Sequence, residues 1–245
     1  MNDLVVSYQM GKVGSSSIVA SIPGCKQFHS WSSEEPIMFF SSRNTGSGLG
    51  RFKQYFKWKL AYRNLSKLVG RAKENNGRIK LIIGVREPVS RNISGYFQSL
   101  MSREEGVDLS LLMDMFYAYC PHLCSVKWFD VELRQRLGID VYSYPFDVGN
   151  GWTSFSDGIY DVFLYRQENL RGLSKELGDF LNIPDFKLVA VNEGGEKWSG
   201  DLYSDFLKSF TPSEEYLDLL YNTEYFRHFY GDAYKEEMER KWLIR

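Results

Sequence analysis

The stretch Ser7-Tyr8-Gln9-Met10-Gly11-Lys12-Val13-Gly14-Ser15-Ser16-Ser17-Ile18 decides the reading of this chain. Leu4-Val5-Val6 precedes it, a short apolar run that reads as a buried strand, and Ile18-Val19-Ala20 continues it as the start of a helix. A strand, a Gly- and Ser-rich turn and a helix N-terminus together make an anion site. Backbone N–H groups converge on the ligand, hydroxyls add donors, and the helix dipole favours negative charge. Lys12 contributes a full positive charge. In the nucleoside-triphosphate loop the Lys comes late, as G-x-x-x-x-G-K-[ST]. Here Lys12 comes first, followed by Gly14 and the serines Ser15, Ser16 and Ser17.

A second stretch has the same character. Lys80-Leu81-Ile82-Ile83-Gly84-Val85-Arg86 is rich in branched apolar residues and reads as a buried parallel strand. It leads into Glu87-Pro88-Val89-Ser90-Arg91-Asn92-Ile93-Ser94-Gly95-Tyr96. Pro88 keeps Glu87 out of helical geometry and pre-sets the first helical turn. Arg86 is therefore expected at the C-terminal end of a strand, where open parallel sheets bind ligands, with Ser94 on the following helix. The guanidinium fork suits a phosphate dianion, and a Ser hydroxyl can complete the cradle.

Both stretches resemble phosphate motifs of sulfotransferases that use 3′-phosphoadenosine 5′-phosphosulfate (PAPS). Gly11 to Ile18 is similar to their 5′-phosphosulfate loop, and Arg-x-Pro with Ser94 eight residues after Arg86 is similar to their 3′-phosphate motif. The resemblance implies a P-loop-like sulfotransferase fold, with PAPS as cosubstrate, PAP as product and no metal required. It puts Lys12, Gly14, Ser15, Ser16 and Ser17 on the 5′-phosphosulfate, and Arg86 and Ser94 on the 3′-phosphate. Sulfotransferases also close a late Gly-rich loop over the cofactor. Asn192 to Gly200 is loosely similar to it, with Lys197 facing phosphate and Trp198 facing the base; a plain surface loop is the alternative. More broadly, the chain resembles a bacterial group described as putative capsular polysaccharide synthesis proteins. Gln9 to Ser16, Lys127-Trp128-Phe129-Asp130, Gly138 to Tyr142, Pro145-Phe146-Asp147 and Glu196-Lys197-Trp198-Ser199 carry that likeness.

Sulfuryl transfer needs an acceptor base, a cation for the charge that develops, and exclusion of water. Lys12 is the expected cation. The chain has 3 histidines, and an imidazole suits a base near neutral pH. His29 follows the loop by about one βα unit, where several polysaccharide O-sulfotransferases place a catalytic His. Other branches use a Glu in this region, so Glu34 and Glu35 remain alternatives. His122, in Cys120-Pro121-His122-Leu123-Cys124, lacks the tight Cys-x-x-Cys spacing and a second cluster, so no metal site is expected. His228 sits among aromatics in Tyr225 to Tyr230 and reads as packing.

With 245 residues, 43% of them hydrophobic, the chain can bury a sizeable α/β core. Its formal net charge of −1 gives no global field that selects nucleic acid. No apolar run approaches the length of a transmembrane helix, and no basic segment precedes the first strand, so neither a membrane span nor a signal peptide is expected. Few cysteines, odd in number, suit a reducing compartment. A cytoplasmic location follows as the expectation, with peripheral contact at the inner membrane as a further option. That option rests on Arg51 to Lys80, which holds 10 Lys or Arg interleaved with aromatics. An acidic glycan, an anionic membrane surface or simple solvation would each suit such a face.

Along the chain, strands are expected at 4–8, 27–31, 80–86, 139–144 and 160–165. Helices are expected at 15–21, 51–75, 88–101, 109–123, 127–137 and 172–181, and Thr211-Pro212-Ser213-Glu214 reads as a capping box opening an aromatic-rich helical region over 211–245. Ser41 to Gly50 reads as a linker. The alternation implies one domain over 1–245: α/β, a three-layer α/β/α arrangement around a central, mainly parallel sheet. The function expected is PAPS-dependent O-sulfotransfer to a carbohydrate or glycolipid hydroxyl. The alternatives are a nucleotide-dependent kinase, against which the missing Gly-Lys-Ser/Thr ending counts, and a non-catalytic nucleotide- or glycan-binding protein of the same fold.

Overall fold

The computed structural model describes residues 3–29, 48–100, 108–191 and 200–243, with the side chains at 48–58, 61–62, 99 and 200–201 also outside the description. Glu34, Glu35, Lys197, Trp198 and most of the 41–50 stretch thus lie outside the described residues.

The core is a five-stranded sheet in the order β2-β1-β3-β5-β4. β1 (Leu4–Tyr8), β2 (Lys26–Phe28), β3 (Ile79–Val85) and β5 (Tyr160–Arg166) are parallel; β4 (Trp152–Asp157) is antiparallel to β5. β3 lies at the centre and every one of its residues is buried, as its unbroken branched run requires. Side-chain alternation sends Leu81, Ile83 and Val85 to one face and Ile82 to the other. The first face packs against α2 (Gly48–Glu74), α3 (Pro88–Leu100), α4 (Leu109–Tyr119), α5 (Cys124–Trp128) and the C-terminal helices α7 to α10 (Gly200–Ser209, Glu214–Tyr221, Glu224–Phe229, Gly231–Leu243). The second packs against α1 (Ser15–Ser21) and α6 (Ser174–Leu181). Helices therefore cover both faces of a sheet that is mostly, not wholly, parallel. Among the described residues no helix is long and apolar enough to cross a membrane.

Several expected elements differ. Ile139 to Tyr144 is no strand: Val141–Ser143 is a 3₁₀ turn, because the Asp140 carboxylate accepts the Tyr142 N–H at 3.2 Å and closes the chain locally. The missing strand is β4, a polar edge strand joined to β5 through Gly158, whose φ of 53° opens a two-residue hairpin turn. The helix expected over 109–123 stops at Tyr119, because Pro121 forces Cys120 into extended geometry. That expected over 127–137 starts at Cys124 and becomes a π-helix over Phe129–Gln135, around buried Glu132, which accepts from Tyr8 Oη and Arg136 Nη1, each at 2.6 Å. The stretch expected as a helix over 172–181 splits into a 3₁₀ turn, Leu170–Gly172, and α6. The cap of α8 is Ser213, whose Oγ accepts the Tyr216 N–H at 3.2 Å; Thr211 and Pro212 precede it.

Because four strands are parallel, the residues leaving β1, β2, β3 and β5 gather at one edge. These are Gln9 to Gly14, His29, Arg86 to Pro88, and Gln167 to Leu170.

Candidate functional site

The loop after β1 rests on a buried polar node. Tyr165 Oη reaches Gln9 Oε1 at 3.0 Å and the Val13 carbonyl at 2.9 Å, while Gln9 Nε2 donates to Ser7 Oγ at 2.8 Å. Gly84 leaves room for this node, since a Cβ there would lie 2.6 Å from Gln9 Oε1. Above it the chain twists through left-handed conformations at Lys12 (φ 75°) and Gly14 (φ 89°). Gly14 caps α1, and its carbonyl accepts from the N–H groups of Ser17 and Ile18. The N–H groups of Ser15 and Ser16 open the helix and so have no acceptor within it. Ser15 is buried and Ser16 exposed. The Ser17 hydroxyl is committed elsewhere: it accepts from Val191 N at 3.1 Å, as Ser21 Oγ does from Val189 N at 2.7 Å, lacing the 189–191 strand of chain to α1.

Arg86 leaves the end of β3 and donates from Nη1 to the Lys12 carbonyl at 3.1 Å. The two stretches singled out in the sequence thus meet through residues 74 positions apart. Arg91, which the sequence reading passed over, joins them. Buried on α3, it donates from Nε to the Gly11 carbonyl at 3.4 Å. Its sequence signal is a second arginine five residues after Arg86, on the helix expected over 88–101. Glu87 is buried as well and acts as the cap of α3, accepting from Val89 N and Ser90 N at 2.8 Å each. Ser94 is buried on α3, eight residues beyond Arg86.

His29 sits beside the loop. Its Nδ1 lies 2.6 Å from the Gln9 carbonyl, which can only accept, so Nδ1 carries the proton and Nε2 the lone pair. Gln27 fits this tautomer: its amide nitrogen lies 3.2 Å from His29 Nε2 and also donates to Ser15 Oγ at 3.0 Å. Trp128 Nε1 donates to the His29 carbonyl at 3.2 Å. The residue keeps exposed surface, yet the protein around the imidazole desolvates it and holds its pKa below the ordinary 6.5; the positive charge of Arg91 acts in the same direction. The result is a neutral imidazole with one basic nitrogen next to the cradle.

The remaining wall is Gln167 to Leu170. Glu168 Oε1 accepts the Glu87 N–H at 2.9 Å, and enclosure raises the Glu168 carboxyl above the usual carboxylate range, with the Glu87 N–H and the Arg86 charge working against that rise. The other histidines are packed. His122 bonds Tyr216 Oη at 2.8 Å, and His228 stands edge-on to Tyr142 at 5.3 Å. Burial pushes the Cys120 thiol up to about 12, which keeps it protonated. Among the described residues no group of three or more His, Cys, Asp or Glu side chains is arranged to hold a metal.

No curated protein and no solved structure matches this chain. A family model does, over residues 104–231, more than half of the chain. That stretch contains Trp128 and Glu168, together with Tyr221 on α8, Tyr225 on α9 and Tyr230 just after α9, which contact Glu87, Arg86 and Glu168 respectively. The chain belongs to the family described as putative capsular polysaccharide synthesis protein (NKWYS).

Proposed function

We propose that this protein is a PAPS-dependent O-sulfotransferase that modifies a carbohydrate or glycolipid hydroxyl in surface polysaccharide synthesis. The observation that carries the reading is the 3.1 Å contact between Arg86 Nη1 and the Lys12 carbonyl, which joins two cationic phosphate motifs at the C-terminal edge of a mainly parallel sheet. The family membership supports a polysaccharide acceptor.

The donor set suits such a ligand. Arg86 has five N–H donors, of which one is spent on Lys12. Lys12, the opening N–H groups of α1 and the hydroxyls of Ser15 and Ser16 would hold the 5′-phosphosulfate, with Ser17 contributing its backbone. Arg86 and Ser94 would hold the 3′-phosphate, and Lys197 the closing loop. PAPS supplies an activated sulfuryl group when bound. His29 Nε2 takes the proton of the acceptor hydroxyl, and its low pKa keeps it neutral and able to do so. The lone pair first has to exchange Gln27 for that hydroxyl. Lys12 and Arg86 stabilise negative charge as it grows on the transferred group and the departing phosphate. Arg63, Lys67, Arg71 and Lys73 are exposed along α2, a face suited to an anionic glycan or an anionic membrane surface.

The test is thermal stability with and without 3′,5′-adenosine bisphosphate (PAP), for wild type and Arg86→Ala. Ligand at about a hundred times its Kd stabilises the fold by about 2.7 kcal/mol. An upward shift in wild type, lost in Arg86→Ala and not reproduced by ATP, is expected, followed by turnover on an added acceptor. A folded protein that PAP leaves unshifted defeats the proposal, and a shift with ATP alone turns the assignment toward a kinase.

A further inference from the structure

Arg86 stands where the sheet no longer holds the chain. Val85 is the last residue of β3 to pair with β5, and Pro88 denies the following turn a backbone donor. The grip comes instead from α9. Tyr225 Oη accepts the Arg86 N–H at 3.0 Å and donates to the Arg86 carbonyl at 2.8 Å, so one phenol satisfies both backbone groups of one residue. The ring cannot swing away, because it is fully buried among Phe129 at 5.6 Å and Phe229 at 5.2 Å. The neighbouring Glu87 is held separately, its carboxylate by Tyr221 Oη at 2.9 Å and its N–H by Glu168.

We infer that Tyr225 is the positioning residue for Arg86. Its hydroxyl fixes the peptide planes on either side of the Arg86 Cα, and with them the direction in which the guanidinium leaves the strand. One N–H then meets the Lys12 carbonyl and the others are aimed together rather than spread over several rotamers. On the reading above, which this inference deepens, a phosphate dianion meets a fork that is already aligned, and the ordering cost is met in folding rather than in binding. Tyr225 lies inside the stretch matched by the family model and Arg86 lies outside it. The matched region thus acts on the site by holding a residue that it does not itself contain.

Tyr225→Phe keeps the ring and its packing and deletes both hydrogen bonds. The first readout is the side-chain ¹⁵N NMR signal of Arg86, assigned by its loss in Arg86→Lys; hindered guanidinium rotation in wild type and faster rotation in Tyr225→Phe are expected. The second is PAP affinity by calorimetry, at a temperature where every variant is folded. Tyr225→Phe should weaken binding roughly tenfold, about 1.4 kcal/mol, because the freed guanidinium must then be ordered on binding. In an Arg86→Lys background, which keeps a charge for PAP but lacks the guanidinium fork, the same change should cost much less. An unaltered Arg86 signal, or an equal loss of affinity with and without Arg86, overturns the inference. If PAP binds no variant, the sulfotransferase reading falls, and the Arg86 signal still decides whether Tyr225 positions it.

Discussion

At Gly14 backbone geometry and packing make the same demand. Its φ of 89° lies where side chains are strained, and a Cβ would stand 2.5 Å from Leu170 Cδ2. Left-handed strain, with a smaller part from displacing the end of the Leu170 side chain, predicts that Gly14→Ala lowers stability by about 1–3 kcal/mol. Gly11, three residues earlier, has nothing within 4 Å of its Cβ position, so Gly11→Ala should cost little. Urea midpoints compare the two, and equal losses would refute the account. Gln27 shows the other side of the residue scale. Nothing in its sequence context marks it, yet its amide bridges Ser15 of the cradle and His29 Nε2. Its part depends on β2 pairing with β1, which brings Gln27 opposite Ser7.

At the scale of elements, caps decide where helices begin, and sequence offers more candidates than the chain uses. Both Thr211 and Ser213 are acceptable caps, but the Ser213 hydroxyl takes the Tyr216 N–H, and Glu214 and Glu215 then fall in the first turn of α8, where the dipole favours acids. Ser213→Ala should lower stability by about 1 kcal/mol and Thr211→Ala by less than about 0.5, measured by chemical denaturation. A larger loss at Thr211 would restore the earlier cap. The matter reaches the site, because α8 carries Tyr221 to Glu87. β4 illustrates the opposite case. Trp152–Asp157 is short, polar and half-exposed, so only its pairing with β5 makes it a strand.

Over the whole molecule, burial acts on the histidines in one direction. His29, His122 and His228 all have pKa values below the ordinary 6.5, with desolvation the largest cause for each. A base whose folded pKa is depressed gives stability that is present above its unfolded value and lost as pH falls through the folded one. Glu168, raised by burial, acts oppositely and contributes least at higher pH. With three groups against one, the melting temperature should fall as pH is lowered from about 7 to about 5.5. Calorimetric scans across that range test this, and a rise on acidification would contradict it. The glycine- and serine-rich turn over Gly11 to Ser17, the buried strands β1, β3 and β5, and the helix begun by Pro88 were determined by the sequence alone. Each depends on interactions within a dozen residues: a hydrophobic run, a glycine turn, a proline that sets its neighbours. The tertiary structure alone decided that Arg86 meets Lys12, that Arg91 lies under the loop, that Gln9 sets the tautomer of His29, and that Tyr225 grips Arg86 across 139 positions. Those contacts join segments whose spacing carries no periodic signal, and only the stacking of parallel strands brings their ends to a common edge.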